Sequence, residues 1–351
     1  MPDLDHDRIR TLARRFRVKP GSHVRLERDH EPDDTAGLRE GDAEELLRDG
    51  VELLSEYQAR LAAQDRVALL VIIQAIDAAG KDGTIRHVMS GVNPQGVQVT
   101  SFKVPSTEEL DHDFLWRTAK ALPPRGTIGI FNRSYYEELL VVRVHPEILA
   151  GERLPPELVD EGIWDRRFRH INHWEAYLAD QGTRIVKLFL NVSKAEQKER
   201  FLARIDEPDR NWKFSAGDVR ERAHWGAYQD AYADVLSQTS TDDAPWFVIP
   251  ADNKWFARVA AAAVIADALI DIDPQYPELT PEELAELQVA KTELLAEDDE
   301  ITTPAKTRAG ADDAAAAPPA SGPTKASKDG KKGKGGKGGK GTRSGGSTKG
   351  G

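Results

Sequence analysis

The sequence predicts an α/β protein of three layers, a parallel sheet with helices on both faces. Three observations carry that expectation. Apolar runs without polar alternation (ALLVIIQ from Ala68, GTIGIF from Gly126, RIVKLFLNV from Arg184, WFVI from Trp246) suit strands buried on both sides. Segments of helical spacing separate these runs, the rhythm of strand–helix–strand crossovers. Between Ala68 and Met89 a strand, a glycine turn and a helix start follow each other directly, the local plan of a phosphate cradle.

In chain order, residues 1–40 mix charge with a few apolar positions (Phe16, Val18, Val24, Leu26) and read as an arm over the domain. Residues 42–63 place Leu46, Leu47, Val51, Leu54, Tyr57 and Leu61 at helical spacing. The first strand and its glycine turn precede a helix carrying Ile85, Val88 and Met89. A strand is expected over 97–104 and a helix over 110–122, stopped by Pro123-Pro124. The strand at 126–131 ends at Asn132-Arg133-Ser134. Residues 155–178 read as one long helix with Trp164, Phe168, Ile171, Trp174 and Leu178 on one side. The strand at 184–192 leads to a helix over 194–205 and, after a polar break, another over 219–236. A last strand and a helix over 255–270 close the fold. The domain thus spans 41–275, with a lid at about 206–225, then an acidic helical extension over 276–303. Residues 304–351, rich in Ala and Pro and then in Lys and Gly, are expected to be disordered.

Composition excludes several chemistries. The chain of 351 residues has no cysteine, which removes disulfides, thiolate catalysis and cysteine-held metal clusters. No apolar stretch reaches the ~20 residues that span a bilayer, and MPDLDHDRIR is no secretory leader, so a cytoplasmic protein without a membrane partner is expected. Net charge is −11, yet Lys325–Gly351 alone carries +8, leaving −19 on the remainder. Such an acidic body is a poor general nucleic-acid surface; a polyanion site must be a local basic groove. The basic tail itself reads as a solvated end or a weak polyanion tether.

The chemistry concentrates at AIDAAGKDGTIRHV. Gly80 and Lys81 fit the end of the P-loop pattern, but Ala75 replaces the first glycine and Asp82 the Ser or Thr. Asp77 is an acid inside an anion cradle. A magnesium ion shared between its carboxylate and phosphate oxygens resolves that conflict; the other reading is a turn residue bonded to its own backbone. Ala79, Gly80, Asp82, Gly83, Thr84 and Arg86 complete the loop and its helix as the phosphate-binding stretch. Arg133, directly after a buried strand, forms a polar site opposite Lys81 with Asn132, Ser134, Tyr135, Tyr136, Glu137 and Glu138, unless it is merely ion-paired to Glu137. Arg143 and His145 are expected to line the same groove. Arg200, Arg204, Arg210, Lys213, Arg220 and Arg222 flank DRNWKFS, where a closing lid would bring charge to a transferring phosphoryl group. WDRRFR from Trp164 reads mainly as a charged helix face.

Several long strings together, AIDAAGKDGTIRHV, SGVNPQGVQVTSFKVPSTEELDHDFLWR, GTIGIFNRSYYEELLVVRVHPE and DRNWKFS, resemble the polyphosphate kinase 2 family over roughly residues 15–275. The resemblance implies a P-loop kinase fold with a helical lid and magnesium-dependent phosphoryl transfer between inorganic polyphosphate and nucleoside mono- or diphosphates. By motif it assigns Asp77 to metal, Gly80, Lys81 and Gly83 to phosphates, Arg133 to the transferring group, and Arg210 and Lys213 to the lid; Glu137 joins Arg133 in the catalytic set. Asn132 stands where some members have an acid, and FNRSYYE resembles members acting on AMP, or on AMP and ADP. A homo-oligomer is expected. A non-catalytic polyanion binder and an ATP-dependent nucleotide kinase are the alternatives.

Overall fold

The computed structural model describes residues 6–209 and 211–301. Helix α1 (His6–Arg15) begins the arm, and its chain then runs beside the last strand. There Arg17 forms an antiparallel bridge with Phe247, Val18 N–H donates to Trp246 O at 2.8 Å, and Val248 N–H to Phe16 O at 2.9 Å. Phe16 is buried, edge-on to Phe256. The arm thereby covers part of a sheet edge that would otherwise present unpaired backbone groups.

Helix α2 (Glu40–Gln64) leads into β1 (Ala68–Gln74), buried along its whole length, and α3 (Lys81–Val88) follows the loop. The sheet continues with β2 (Val97–Ser101), β3 (Ile128–Asn132), β4 (Thr183–Asn191) and β5 (Trp246–Pro250). All pairings are parallel, in the order β2-β3-β1-β4-β5. Between these strands lie α4 (Ile163–Asp180), α5 (Lys194–Asp206), α6 (Ala216–Glu221) and α7 (Trp225–Thr239); α8 (Lys254–Ile272) follows β5. α1, α2 and α3 pack on α8, while α4 and α7 pack together elsewhere on the sheet. Gly50 and Ala262 allow a close α2–α8 approach: a Cβ on Gly50 would lie 3.7 Å from that of Ala262. The expected α/β class with a parallel, helix-flanked sheet is the fold observed.

Four expected elements differ in the structure. β2 stops at Ser101 rather than 104, short of Pro105. The helix expected over 110–122 is two short turns, Thr107–Leu110 and Trp116–Ala119. Asp113 Oδ1 takes the Leu115 N–H at 3.0 Å, an Asx turn that restarts the chain in a new direction. The helix expected from 155 starts at Ile163, because Pro155-Pro156 enter a 3-10 turn and Asp160 caps Gly162 at 2.9 Å. The helix expected over 219–236 likewise breaks at a 3-10 turn, Arg222–His224.

The chain divides after Thr280, and α9 (Pro281–Ile301) belongs to the second unit. The tail expected over 304–351 lies outside the described residues. Among the described residues no helix is long and apolar enough to cross a membrane.

Candidate active site

β1 sits at the centre of the sheet, so the ends of β3, β1 and β4 lie side by side, where ligands of parallel sheets bind. Register then fixes the partners. Ile73 pairs with Asn132 on one side and Leu188 on the other, and Arg133 N–H donates to Ile73 O at 3.0 Å.

The loop after β1 holds two left-handed residues, Ala78 (φ 64°) and Gly80 (φ 105°), on either side of Ala79. Glycine takes such a conformation without strain and alanine does not. Alternation of this kind turns successive amides toward one point, and the N-terminus of α3 adds its own N–H groups there. The loop is clamped from behind by α5. Arg200 donates to Ala78 O (3.2 Å) and Ala79 O (2.7 Å), and to Ala251 O and Asp252 O beyond β5. Gln197 donates to Asp77 O at 2.8 Å. These bonds from behind hold the loop in its conformation. Arg200 is therefore a buried loop clamp, not the lid cation expected.

Lys81 lies half-buried and folds back on its own loop, donating to Ala75 O (2.9 Å) and Ile76 O (3.4 Å). Burial, and then the Arg133 charge, lower its ammonium to about 8. An ammonium carries three donors, so one remains for an anion.

Arg133 is brought to the loop as expected. Its Nη2 donates to Asp77 Oδ1 at 2.7 Å and its Nη1 to Glu137 Oε2 at 2.9 Å. Both readings of this arginine therefore hold at once: it is ion-paired to Glu137 and it faces Asp77. The two carboxylates, Glu137 foremost, raise its pKa further. Its backbone is left-handed (φ 64°), a strained choice for a long side chain that the surroundings must impose. They do so from below. Ser134 caps Tyr136 N–H, and the Gln74 amide, in the orientation that satisfies both ends, donates to Glu137 Oε1 at 2.9 Å and accepts from Ser134. Tyr135 and Tyr136 hydroxyls donate to Glu175 Oε1 at 2.7 and 2.8 Å. Lys187, wholly buried in β4, donates to Glu175 Oε2, the Tyr136 hydroxyl and Thr239 O. Burial lowers the lysine and raises both tyrosines well above their ordinary range.

Of the remaining expected residues, Asn132 donates to Asp82 Oδ1 at 2.8 Å beside Arg133. Thr84 is buried inside α3 and Arg86 exposed on it. Gly83 is open, with nothing within 4 Å of an added Cβ. Arg204 pairs with Asp218 of α6 at 3.6 Å. The Asp218 carboxyl is raised, by burial and then by the Asp77 charge, so α6 lies within electrostatic reach of the loop. Arg222 donates to Gln197 Oε1 at 2.6 Å and so touches the loop clamp. Arg143 is not brought to the loop: it pairs with Asp234 of α7 at 2.6 Å, and His145 pairs with Glu221 at 2.9 Å. Arg210 lies outside the described residues, as does the side chain of Lys213.

Two hollows meet at Arg133 and Glu137. A small cavity is lined by Asp77, Gln197, Glu221, Arg222, Tyr228 and Tyr232, among others. On the other side a groove of about 460 Å³ runs past Phe102, Phe114, Glu138, Val142, Ile148 and Glu152. Arg167 of α4 is buried here between Glu138 and Glu152, so WDRRFR is not simply a charged face. No group of three or more His, Cys, Asp or Glu that could hold a metal occurs among the described residues. Asp77 stands beside the cradle, with Glu137 and Asp82 also near Lys81; few carboxylates suit magnesium, since that ion keeps several waters and takes one or two carboxylates plus substrate phosphates.

Residue-type reasoning missed Gln197, Glu175 and Lys187, and gave Arg200 to the lid rather than to the loop. Only Lys187 carried a signal, a lone lysine inside an apolar strand, which is tolerated only with a buried partner.

Comparison with known proteins gives one answer. A family model described as Polyphosphate kinase 2 (PPK2) matches residues 38–277. The chain is 52% identical over 288 residues to an ADP-polyphosphate phosphotransferase of Rhodopseudomonas palustris, covering 82% of this chain and all of that one. It is 42% identical over 267 residues to an AMP/ADP-polyphosphate phosphotransferase of Meiothermus ruber, covering 76% and 96% of the two chains. Among solved structures it is similar to a polyphosphate kinase 2 of Arthrobacter aurescens, with TM-score 0.72 and 41% identity over 80% of this chain and 96% of that one.

Proposed function

The chain belongs to the polyphosphate kinase 2 family, and from that premise we propose roles for its residues and a seat for its nucleotide. It is a polyphosphate:nucleotide phosphotransferase, moving phosphoryl groups between polyphosphate and AMP or ADP. The observation that carries the proposal is Arg133, held between Asp77 and Glu137 where the cavity and the groove meet. Polyphosphate lies on the loop side, the nucleotide in the groove, and the moving phosphoryl group under Arg133.

Phosphoryl transfer demands in-line positioning and charge neutralisation rather than a strong nucleophile. The loop amides and the third Lys81 donor hold phosphate oxygens. Arg133 exchanges part of its hold on Asp77 for the equatorial oxygens, and Glu137 keeps the guanidinium aimed. Family members generally use a divalent ion; Asp77 would hold it, as magnesium, to neutralise charge between neighbouring phosphates. Arg204, Arg210, Lys213 and Arg220 close over the polyanion from the lid, and Arg86 extends the basic track along α3. We also place the protein in the cytoplasm, where its nucleotides are, as a homo-oligomer.

Incubation with polyphosphate and AMP or ADP, with products separated chromatographically, tests this reading. ADP and ATP are expected, and their formation should stop when divalent ions are chelated. Turnover that survives chelation would remove Asp77 from its metal role.

A further inference from the structure

Gln74 closes β1, wholly enclosed after the apolar run ALLVII. A buried amide is costly unless its donor and acceptor are both met, and strand formation does not ask for one here. Its partners all lie on the Arg133 turn. Nε2 donates to Glu137 Oε1 at 2.9 Å, and its oxygen accepts from the Ser134 hydroxyl and the Ser134 N–H, each at 3.1 Å. Ser134, itself buried, caps the turn at Tyr136 N–H. The Glu137 carboxylate is therefore held by both oxygens, Oε1 from Gln74 and Oε2 from Arg133 Nη1 at 2.9 Å. Next to Gln74 in the strand, Ile73 O takes the Arg133 backbone N–H at 3.0 Å. Consecutive residues of β1 thus fix both ends of one arginine: Ile73 its backbone and Gln74, through Glu137, its guanidinium.

The bond to Glu137 matters because of the torsion it controls. The last torsion of a glutamate side chain is broad and roughly two-fold, so a partner on Oε2 alone leaves the carboxylate plane free to turn. That plane sets where a guanidinium fork can lie, and a donor on Oε1 removes the freedom. An amide carries a donor and an acceptor, so one side chain bridges the carboxylate and the Ser134 cap without adding charge. We propose that Gln74 is a positioning residue for phosphoryl transfer: by locking the Glu137 carboxylate it fixes the direction of the Arg133 guanidinium before substrate arrives. The inference rests on Arg133 acting at the moving phosphoryl group. A cation fixed in advance stabilises developing charge without reorganising, and a displacement of about 1 Å can cost on the order of 100-fold in rate.

The test is a cycle of wild type, Gln74→Met, Arg133→Ala and the double variant, with kcat, both KM values and melting temperature read for each. Gln74→Met offers Glu137 no donor. It should lower kcat about tenfold or more while KM for polyphosphate and for nucleotide stays within about threefold. In the Arg133→Ala background the same change should alter kcat by less than about twofold, since the guanidinium it aims is gone. A merely structural role would slow both backgrounds alike, so equal losses overturn the proposal. A Gln74→Met enzyme with wild-type kcat, or one changed only in KM, overturns it too. Near-full activity in Arg133→Ala would instead remove the reading of Arg133 on which the inference stands. Should Gln74→Met fail to fold, exchanging the two side chains serves in its place. Gln74→Glu sets two carboxylates face to face and should be slow. Adding Glu137→Gln restores one donor between them and leaves Arg133 an acceptor, so kcat should rise about tenfold or more over Gln74→Glu alone; no gain on exchange overturns the proposal.

Discussion

The floor of the site and the lid beside it are built on opposite plans. In the floor, the Asp77 loop is gripped by Arg200 and Gln197 and the Arg133 turn rests on the buried Glu175–Lys187–tyrosine network. In the lid, α6 has no buried residue, and Trp212 and Phe214 are 77% and 40% exposed. The difference teaches where each kind of charge belongs. A cation that stabilises a transition state gains from being fixed in advance. A cation that must admit substrate and then cover it belongs on an element of low local stability. The two plans touch at Gln197, which holds the Asp77 carbonyl and also receives Arg222.

Breaking the floor should therefore be costly in every respect. Lys187→Met strands the buried Glu175 charge, and urea unfolding should show a loss of about 3–5 kcal/mol. Phe214→Ala in the lid should stay within ~0.5 kcal/mol. Equal losses would erase the contrast. Lys81→Ala and Arg133→Ala are each expected to lower transfer at least ~100-fold while the protein still folds; near-full activity in either would remove that residue from its role. Acidity sharpens the same point. Lys81 is charged below about pH 8 and neutral above it, so kcat/KM should fall about tenfold per unit above that value. In Lys81→Arg, which stays charged, this alkaline limb should vanish. A lid variant such as Arg222→Ala should cost less, about tenfold in kcat, because only the closing motion loses a partner. Deleting residues 304–351 should leave turnover at saturating substrate unchanged; a large loss would give the basic tail a part in the reaction.

Much of this could be read from residue order. Non-alternating apolar runs marked the strands because a parallel strand is buried on both faces, and Asp77, Lys81 and Arg133 stood out because each is a charge at the end of such a run. Arg143 misled for a related reason. Its spacing among Val141, Val142 and Val144 suggested a groove position, but a short helix turns it to Asp234 of α7, far along the chain. Arg167 looked like one of several surface charges and is instead buried between two acids.

Sequence by itself determined the element order, the class of sheet and the presence of an anion cradle with an acid inside it, since these depend on periodicity and on neighbours a few residues apart. Only the tertiary structure decided which arginine clamps the loop and which one stands between Asp77 and Glu137. Those roles are set by partners 56 and 121 residues away, Asp77 for Arg133 and Ala79 for Arg200, and charge alone does not say which partner a side chain will find.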